Sequence, residues 1–371
     1  MKRVGVLGGG QLGRMLGLAG IPLGCEFRFY DENPDSPAAA VGELFDASYH
    51  DNSRLREFSQ GLDVATYEFE NVPVTAVEEL QKHVAVFPGV GALRTAQDRL
   101  AEKQLFANLA IPTPRFEVVD SDRGARDAAE KLGCPVVFKT IRLGYDGKGQ
   151  LVIRELRDAA DVWSRLGKVP LVAEQFVAFQ RELSIIAVRG KDAQVVFYPL
   201  TQNIHVDGIL RFSLAPAPGV TSVLQAKAES YVKSILDSFD YVGTLALELF
   251  QVGEELLANE IAPRVHNSGH WTMDGATVSQ FENHLRAILG YQLGKPELRG
   301  VSGMVNLVGD IPSPDEVLAH PQAHLHLYGK TPRPGRKVGH VNIVAAELGE
   351  LKNTVAKFSH YLPPAALQQI R

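Results

Sequence analysis

The amino-acid sequence predicts a mixed fold: an α/β unit with a parallel sheet, an α+β unit with antiparallel sheets, and a small C-terminal unit. Over residues 1–95, short strand and helix patterns alternate with brief connections, as in a doubly wound sheet. Beyond the prolines at residues 112 and 114, short strands follow one another with hairpin-like turns, which favours antiparallel pairing. A chain of 371 residues is also too long for a single ordinary core.

The individual elements follow from hydrophobic periodicity and from turn residues. In the first unit we predict strands at residues 3–7, 27–30, 63–67 and 85–87, and helices at 12–18 and 76–81. One helix is predicted at 93–109, ended by the prolines that follow. Further strands are predicted at 135–140, 171–176, 182–188, 195–199, 304–308 and 324–328. We set the unit boundaries at 1–95, 96–294 and 295–371.

Composition narrows the class of protein. A formal net charge of −5 argues against nucleic acid as a partner, because a nucleic-acid binder needs a dominant basic surface. No apolar run is long enough to span a bilayer, and the N-terminus reads as a strand rather than a signal peptide, so we expect no membrane partner. The two cysteines, Cys25 and Cys134, are expected to be small buried side chains in a reducing cytoplasm.

A glycine turn joins the first strand to the first helix. Gly8, Gly10 and Gly13 match the spacing of a dinucleotide-binding turn, and Asp31 lies where a ribose-binding carboxylate would follow. This pattern alone favours a nicotinamide-dependent dehydrogenase. The same glycines also fit a tight turn that exposes helix N-terminal amides to any anion, so the pattern leaves both interpretations open.

A second glycine-rich loop lies in the central unit. A strand ending at Lys139 leads into the loop at residues 144–150, which contains three glycines and Lys148. Such a loop can close over the phosphates of ATP with its backbone amides. It lacks the ending of a Walker motif, and an ordinary glycine-rich hairpin would have the same composition.

Two glutamates lie on a predicted hairpin centred near Glu254. Glu248 and Glu260 are each six positions from that centre, so they should face each other across the strand pair. Opposed carboxylates in apolar strands repel each other unless a cation lies between them, and Mg²⁺ prefers oxygen ligands of this kind. Asn259 offers a further oxygen. Two edge-strand glutamates that face water are the alternative.

Polar residues follow this hairpin and also occupy an earlier strand. Arg264 offers a fork for a planar anion such as bicarbonate, and His266 and Asn267 add neutral donors. Glu174, inside the strand-like run at residues 171–177, could meet an adenine edge, and Glu182 could hold ribose hydroxyls. Both glutamates could equally be solvated surface charges.

Seven motifs, distributed over nearly the whole chain, resemble those of the ATP-grasp ligases and, within them, of the N5-carboxyaminoimidazole ribonucleotide synthases. They are GGGQLGRML (residues 8–16), TYEFENVP (66–73), DRLAEKQLF (98–106), GYDGKGQ (144–150), FYPLTQNIHVDGILR (197–211), NEIAPRVHNSGHW (259–271) and RPGRKVGH (333–340). The resemblance implies a Rossmann-like pre-ATP-grasp domain, a central ATP-grasp domain and a small C-terminal domain.

The resemblance also implies a role for individual residues. The residues implied to bind ATP are Arg99, Lys139, Gly144, Tyr145, Asp146, Gly147, Lys148, Gly149, Gln150, Glu174, Gln175, Phe176, Val177, Glu182, His205, Asn259 and Glu260. Those implied to hold the ribonucleotide substrate are Gln11, Leu12, Glu70, Lys330, Arg336 and Lys337. Catalytic roles are expected for Arg264, His266, Asn267, Tyr145 and Asp146. Glu248 and Glu260 are expected to bind Mg²⁺, as one or two ions.

The implied activity is ATP-dependent carboxylation of 5-aminoimidazole ribonucleotide by bicarbonate, through carboxyphosphate, in de novo purine biosynthesis. The resemblance suggests a homodimer whose product passes to a downstream mutase. Neither Ser/His/Asp nor Cys/His arrangements stand out in the sequence, in keeping with chemistry that needs no protein nucleophile. An ATP-grasp ligase for another acid and amine is the near alternative. A nicotinamide oxidoreductase or a non-catalytic nucleotide sensor is the distant one.

Overall fold

The N-terminal part of the computed structural model, which describes residues 1–142, 144 and 149–370, is a parallel four-stranded sheet with helices packed against it. Its strand order is β3-β2-β1-β4, and all three pairings are parallel. The strands are β1 Lys2–Leu7, β2 Cys25–Asp31, β3 Glu43–Asp46 and β4 Val64–Tyr67. The helices are α1 Gln11–Gly20, α2 Asn52–Ser59, α3 Val74–Gln81 and α4 Val90–Ala96.

The glycine turn after β1 sets where α1 begins. Val4 and Val6 of β1 are fully buried, and the apolar side of α1 packs over them through Leu12, Met15 and Leu16. Residues at these helix positions fall on one face, so the remaining face of α1 stays open to other parts of the chain. The first two residues of α1, Gln11 and Leu12, lie at the central domain's cavity.

A small antiparallel sheet forms the first half of the central domain. Its strand order is β5-β8-β6-β7. These strands are β5 Phe116–Val119, β6 Val136–Thr140, β7 Gln150–Ile153 and β8 Leu171–Gln175. The helices on this half are α5 Arg99–Asn108, α6 Asp122–Leu132 and α7 Val162–Arg165. Alternating side chains of β6, among them Val136 and Phe138, are fully buried in its own core cluster, which leaves Val137 and Lys139 on the opposite face.

A second, larger antiparallel sheet faces the small one. It contains nine strands in the order β14-β13-β9-β11-β12-β15-β17-β16, with β10 paired to β9. The strands are β9 Arg181–Arg189, β10 Val195–Phe197, β11 Thr201–Val206, β12 Ile209–Ala215, β13 Gly243–Val252, β14 Glu255–Ala262, β15 Val301–Val308, β16 Ala323–Leu327 and β17 Lys337–Ala345. The remaining helices are α8 Ser222–Ser238, α9 Thr272–Gly275, α10 Gln280–Leu289, α11 Pro314–Leu318, α12 Leu348–Val355 and α13 Pro364–Ile370.

The C-terminal part does not form a sheet of its own. Its strand β15 pairs with β12 of the central domain, and β17 and β16 continue the same sheet outward. It does have a separate core, in which Val305, Val341 and Phe358 are fully buried. This continuity fixes the C-terminal loops against the central cavity.

Three sequence predictions differ from the observed elements. The helix predicted at residues 93–109 is two helices, α4 and α5, because the Asp98 carboxylate caps a new helix by accepting from Leu100 N and Ala101 N at 3.1 Å. The strand predicted at residues 85–87 is reduced to a single bridge between Val86 and Ala65. Cys25 is buried as expected, but Cys134 is exposed, because it ends the α6 connection just before Pro135 rather than lying within β6.

Among the residues that the structure describes, no helix is long and apolar enough to cross a membrane.

Candidate active site

A cavity of about 790 Å³ lies between the two sheets of the central domain and reaches the N-terminal domain. The predicted residues that line it are Gln11, Leu12, Glu70, Arg99, Lys139, Gly144, Gln150, Glu174, Gln175, Phe176, Val177, Glu182, His205, Glu248, Asn259, Glu260, Arg264, His266, Asn267 and Lys337. All three domains therefore contribute to one site.

Some predicted residues do not line this cavity or cannot be placed. Lys330, Arg336 and Gly149 are described but lie outside its lining. Tyr145, Asp146, Gly147 and Lys148 lie outside the described residues, so their roles stay predictions.

Glu248 and Glu260 lie opposite each other at a β-bulge. Near the turn, β13 and β14 pair one residue out of the expected register, with Val252 opposite Glu255. The ladder then shifts between Leu247 and Leu249, so that Asn259 and Glu260 of β14 both lie opposite Glu248. The hairpin centre predicted from sequence was displaced by half a residue, and the bulge restores the predicted juxtaposition.

The electrostatics of this bulge favour a cation. Burial and the neighbouring Glu260 charge raise the pKa of Glu248 to about 7. His205 and the Asn259 amide act in the opposite direction but do not cancel the rise. Neighbouring carboxylates that repel each other are stabilised by a cation, and hard divalent ions bind oxygen ligands of this kind. Glu248 and Glu260, with Asn259 beside them, therefore fit Mg²⁺.

Glu182 and His205 form an ion pair on the large sheet. Glu182 Oε2 lies 2.6 Å from His205 Nδ1, and both residues line the cavity. Burial lowers the pKa of His205, but the hydrogen bond to Glu182 and the charges of Glu182, Glu248 and Glu260 together raise it to about 9. His205 is therefore a cation at neutral pH, placed among three carboxylates.

Lys139 lies on the small sheet and reaches a buried carboxylate. Its Nζ donates to Glu174 Oε2 at 2.8 Å, and Lys103 Nζ lies 3.4 Å from Glu174 Oε1. Burial raises the pKa of Glu174, but the two lysines outweigh burial and lower it to about 2. The Glu174 side chain is thus engaged by lysines, which leaves the adenine contact predicted for it to its backbone. The next residue, Gln175, accepts from Arg115 Nε at 3.0 Å.

Arg99 opens helix α5 beside the glycine-rich loop. Its Nη1 donates to Thr140 O at 3.2 Å and its Nη2 donates to Gly144 O at 3.3 Å. Its backbone amide also donates to Ile141 O at 3.0 Å. The guanidinium therefore holds Gly144 at the edge of the cavity, which Lys139 of the small sheet also lines.

Arg264 joins the central domain to the N-terminal domain. Its Nε donates to Glu70 Oε2 in a short ion pair, and its Nη1 donates to Val265 O at 3.0 Å. His266 is held by Ser268, whose Oγ lies 2.9 Å from its Nδ1, and burial followed by the Arg264 charge lowers its pKa well below the usual value. Within the described chain, the buried Asn267 Oδ1 has no hydrogen-bond partner.

The C-terminal basic residues lie beside the glycine turn. Lys330 Nζ donates to Gln11 Oε1 in a short hydrogen bond, and Arg336 Nη1 donates to Thr331 O at 3.1 Å. Burial lowers the pKa of Lys330 to about 8, and the Arg336 and Lys337 charges lower it against the opposing charge of Glu68. Cations this close together favour an anion, such as a phosphate, among them.

The glycine turn is occupied by the protein's own carboxylates. Glu68 is 5% exposed; its Oε1 accepts from Gly10 N in a short hydrogen bond, and its Oε2 accepts from Gly13 N at 2.6 Å. Asp31 accepts from Gly9 N at 2.6 Å instead of facing a ribose. The amides that would bind a dinucleotide pyrophosphate are therefore already used. This geometry removes the physical basis for the dehydrogenase interpretation.

Apolar residues that sequence reasoning missed complete the cavity. They are Phe69, Val137, Val152, Phe179, Leu210 and Phe250, and the rings of Phe179 and Phe250 stack at 4.8 Å. A period-two signal could have found two of them, because Phe250 follows Glu248 and Val137 precedes Lys139 on the same strand face. Sequence reasoning also missed Glu102, which lines the cavity one helical turn from Arg99.

Three family models match the chain in sequence order. A ribonucleotide synthetase preATP-grasp domain matches residues 1–97, an ATP-grasp domain matches 104–281, and a phosphoribosylaminoimidazole carboxylase C-terminal domain matches 302–354. The N5-carboxyaminoimidazole ribonucleotide synthase of Pseudomonas aeruginosa is 48% identical over 355 residues, which cover 96% of this chain and 98% of that protein. The chain belongs to this family. The predicted ATP-grasp fold and the predicted class, an ATP-dependent ligase, are thereby confirmed.

Other N5-carboxyaminoimidazole ribonucleotide synthases agree over the same length. The Vibrio cholerae protein is 38% identical over 376 residues, covering 99% of this chain and 97% of its own. The crystal structure of the Thermus thermophilus synthetase matches with a TM-score of 0.93 and 51% identity, covering 96% of this chain and 98% of that one. The Aspergillus clavatus synthase, in complex with ADP and 5-aminoimidazole ribonucleotide, matches with a TM-score of 0.89 and 31% identity, covering 97% and 98% of the two chains.

Proposed function

We propose that this protein uses ATP and bicarbonate to carboxylate the amine of 5-aminoimidazole ribonucleotide, through carboxyphosphate, and releases ADP and phosphate. One observation carries the proposal: a single cavity is lined by the cations of the small-sheet side, a carboxylate pair suited to Mg²⁺, the Arg264 guanidinium and, from the N-terminal domain, Gln11 and Leu12. A ligase that joins three reactants needs this convergence, since its main task is to hold them in reacting geometry.

ATP would lie between the two sheets. Lys139 and Arg99 supply positive charge for its phosphates, and the apolar residues Val137, Val152 and Phe250 supply surfaces for an aromatic base. Glu182, together with His205, supplies acceptors and donors for ribose hydroxyls. The loop that contains Tyr145 and Asp146 is proposed to close over the phosphates and to exclude water.

Mg²⁺ would be held by Glu248 and Glu260, with Asn259 beside them. The support is the raised pKa of Glu248, which burial and Glu260 cause and which a cation would reverse. When bound, the ion supplies charge neutralisation for the triphosphate. The residues of this chain orient the phosphates through Lys139 and Arg99, and they hold the neighbouring His205 as a cation.

Bicarbonate would bind at Arg264, His266 and Asn267. Among the described residues the guanidinium uses Nε and Nη1 within the protein, which leaves Nη2 to face an anion. Asn267 Oδ1, which has no hydrogen-bond partner in the same part of the chain, can accept from the bicarbonate hydroxyl. The ribonucleotide would place its base near Gln11, Leu12 and Glu70, all of which line the cavity. Its phosphate would lie toward Lys330, Arg336 and Lys337.

The proposed reaction balances in two steps. A bicarbonate oxygen attacks the γ-phosphorus, the bond to the ADP oxygen breaks, and carboxyphosphate forms. The amine nitrogen then attacks the carboxyl carbon, either directly or after release of CO₂; phosphate leaves, and the nitrogen loses a proton. Lys139, Arg99 and Arg264 lower the barrier by holding anions together and by neutralising their charge, and no covalent protein intermediate is required.

The family resemblance supports three further proposals. The protein acts in the cytoplasm, it forms a homodimer, and its product is consumed by a mutase that moves the carboxyl group. Light scattering at working concentration would test the dimer, since a monomeric mass would contradict it.

The test is ATP hydrolysis by the purified protein with Mg²⁺ and isotopically labelled bicarbonate, with and without 5-aminoimidazole ribonucleotide. We expect ADP release that depends on the ribonucleotide and label that enters the product in equal amount. Arg264→Lys keeps the charge but loses the planar guanidinium that binds Glu70 and Val265 O while Nη2 faces the anion, so we expect the KM for bicarbonate to rise about tenfold or more. ADP release with a different acid or amine, and none with these, would contradict the proposed substrates.

A further inference from the structure

A buried lysine lies beneath the nucleotide side of the cavity. Lys103, on α5, belongs to the DRLAEKQLF motif (residues 98–106), in which only Arg99 received a role from the sequence. Lys103 is 1% exposed, and a buried ammonium is costly unless every proton is matched by an acceptor. Burial is the largest influence on its pKa and lowers it.

This ammonium donates two hydrogen bonds and forms an ion pair with a third oxygen, and the three oxygens lie on different parts of the chain. Nζ donates to Thr113 Oγ1 at 2.9 Å and to the backbone Asn259 O at 3.2 Å, and it lies 3.4 Å from Glu174 Oε1. Glu174 belongs to β8 of the small sheet, whereas Asn259 belongs to β14 of the large sheet. One side chain therefore ties together the two sheets that enclose the cavity.

Thr113 extends this link along the large sheet. Its hydroxyl donates to Ala258 O at 2.8 Å, and Ala258 N donates to Pro112 O at 2.7 Å. The segment at residues 112–113 thus runs alongside β14 at Ala258, the residue directly before Asn259 and Glu260. A displacement of Lys103 would therefore shift β14, the strand that carries Asn259 and Glu260.

Lys103 also divides the charge of Glu174. Glu174 accepts from Lys139 Nζ at 2.8 Å on one oxygen and faces Lys103 on the other. With Lys103 present, the carboxylate is neutralised from below, and Lys139 keeps donors for an anion in the cavity. Without Lys103, Glu174 would be a buried carboxylate with Lys139 as its remaining lysine partner among the described residues, and it would compete with a phosphate for that lysine.

We propose that Lys103 is a positioning residue for the nucleotide: it fixes the separation of the two sheets across the cavity and keeps Lys139 available to phosphate. The inference rests on the proposed function only in that a nucleotide occupies this cavity. Lys103 does not line the cavity itself, so it acts through Glu174, Lys139 and Asn259.

The test compares ADP affinity with stability in matched variants. Lys103→Met keeps the length of the side chain and removes its charge, and we expect the Kd for ADP by calorimetry to rise about tenfold or more. Ile235→Ala, at a fully buried position of α8 in the same core cluster as Phe106 of α5, is the control for lost packing. We expect the Kd of this control for ADP to stay within about twofold of that of the natural protein, even if its Tm falls as far as that of Lys103→Met.

A kinetic split separates positioning from general damage. Lys103→Met should raise the KM for ATP and leave the KM for the ribonucleotide unchanged, because the contacts it loses lie on the nucleotide side. A Kd for ADP within twofold of the natural protein would overturn the inference. If Lys103→Met does not fold, Thr113→Val removes one of the three acceptors, and an unchanged Kd in that variant would overturn it instead. The ADP readout needs no acceptor amine, so a protein that binds ADP but fails to carboxylate would defeat the proposed function alone.

Discussion

Glu248 and Glu260 are held together by the backbone rather than by attraction. The bulge in β14 places Asn259 and Glu260 opposite Glu248, and the ladder on either side of the bulge fixes the backbone positions of these residues. The cost appears in the raised pKa of Glu248, which burial and Glu260 bring to about 7. A carboxylate with a strongly shifted pKa at the wall of a cavity is characteristic of a functional site.

Neutralising Glu260 should affect catalysis far more than stability. Without Mg²⁺, Glu260→Gln removes its repulsion with Glu248. It also removes its attraction to His205 and Arg264, so we expect the free energy of unfolding to change by less than about 1 kcal/mol. With Mg²⁺ and ATP, the same change should lower kcat on the order of 100-fold or more. Differential scanning fluorimetry and steady-state kinetics measure the two effects. Glu254→Gln, at the exposed turn of the same hairpin, is the charge-matched control and should change neither.

His205 should make stability depend on pH. Its pKa of about 9 in the folded protein lies above the ordinary value of 6.5, so its contribution is fully present below pH 6.5 and is lost as pH rises through 9. The difference in unfolding free energy between the natural protein and His205→Gln should therefore shrink over that range, by no more than about 3 kcal/mol. Urea titrations at pH 6 and pH 9.5, without Mg²⁺ or nucleotide, measure it. A difference that grows with pH would contradict the ion pair with Glu182.

At the scale of the element, the N-terminus of helix α1 is capped by Glu68, a residue that directly follows strand β4. Gly10 offers no side-chain cap, and Glu68, which follows β4, accepts from both Gly10 N and Gly13 N. Carboxylates at this end of a helix are stabilised by the exposed amides and by the helix dipole. The cap positions α1 and, with it, Gln11 and Leu12 at the cavity.

Removing this cap should destabilise the N-terminal domain without creating a dinucleotide site. Glu68→Gln replaces one accepting oxygen by an NH₂ donor that faces a backbone N–H, so we expect a loss of about 2 kcal/mol in unfolding free energy. Glu57→Gln, in an exposed ion pair on α2, is the control and should cost less than about 1 kcal/mol. Urea denaturation measures both. NAD binding that appears in Glu68→Gln would contradict the view that the site is built for its own carboxylate alone.

The sequence predicted elements well where the signal is local. The hairpin that carries Glu248 and the strand that carries Lys139 both form, because alternating apolar residues and a glycine turn determine them. The break between α4 and α5 was missed because the cap of Asp98 competes with a continuous helical pattern. Glu68 and Lys103 could not be assigned, because their partners lie 55 and 156 residues away in the chain.

At the scale of the whole molecule, the cavity is closed by contacts between domains. Arg264 of the central domain pairs with Glu70 of the N-terminal domain, and Lys330 of the C-terminal domain pairs with Gln11. No sequence periodicity encodes these pairs; the position of Lys330 follows from how the C-terminal strands extend the large sheet. A ligand that touches all three domains should therefore stabilise the molecule as a unit.

The phosphate of the ribonucleotide should provide much of that stabilisation through the basic residues Lys330, Arg336 and Lys337. These cations lie near one another, and burial together with their mutual repulsion holds the pKa of Lys330 at about 8, so a bound dianion relieves a cost already present in the protein. A ligand at 100 times its Kd stabilises a folded protein by about 2.7 kcal/mol, which is measurable as a rise in Tm. We therefore expect 5-aminoimidazole ribonucleotide to raise the Tm of the natural protein.

Arg336→Ala should diminish that rise and raise the KM for the ribonucleotide about tenfold, with kcat nearly unchanged, because a phosphate contact is made equally in the ground and transition states. Arg123→Ala, at a 91% exposed position on α6, removes the same charge far from the site and should leave both quantities unchanged. Scanning fluorimetry and steady-state kinetics measure the pair. A much lower kcat with an unchanged KM would instead assign Arg336 to the chemical step, and the phosphate would then have to be held by another part of the molecule.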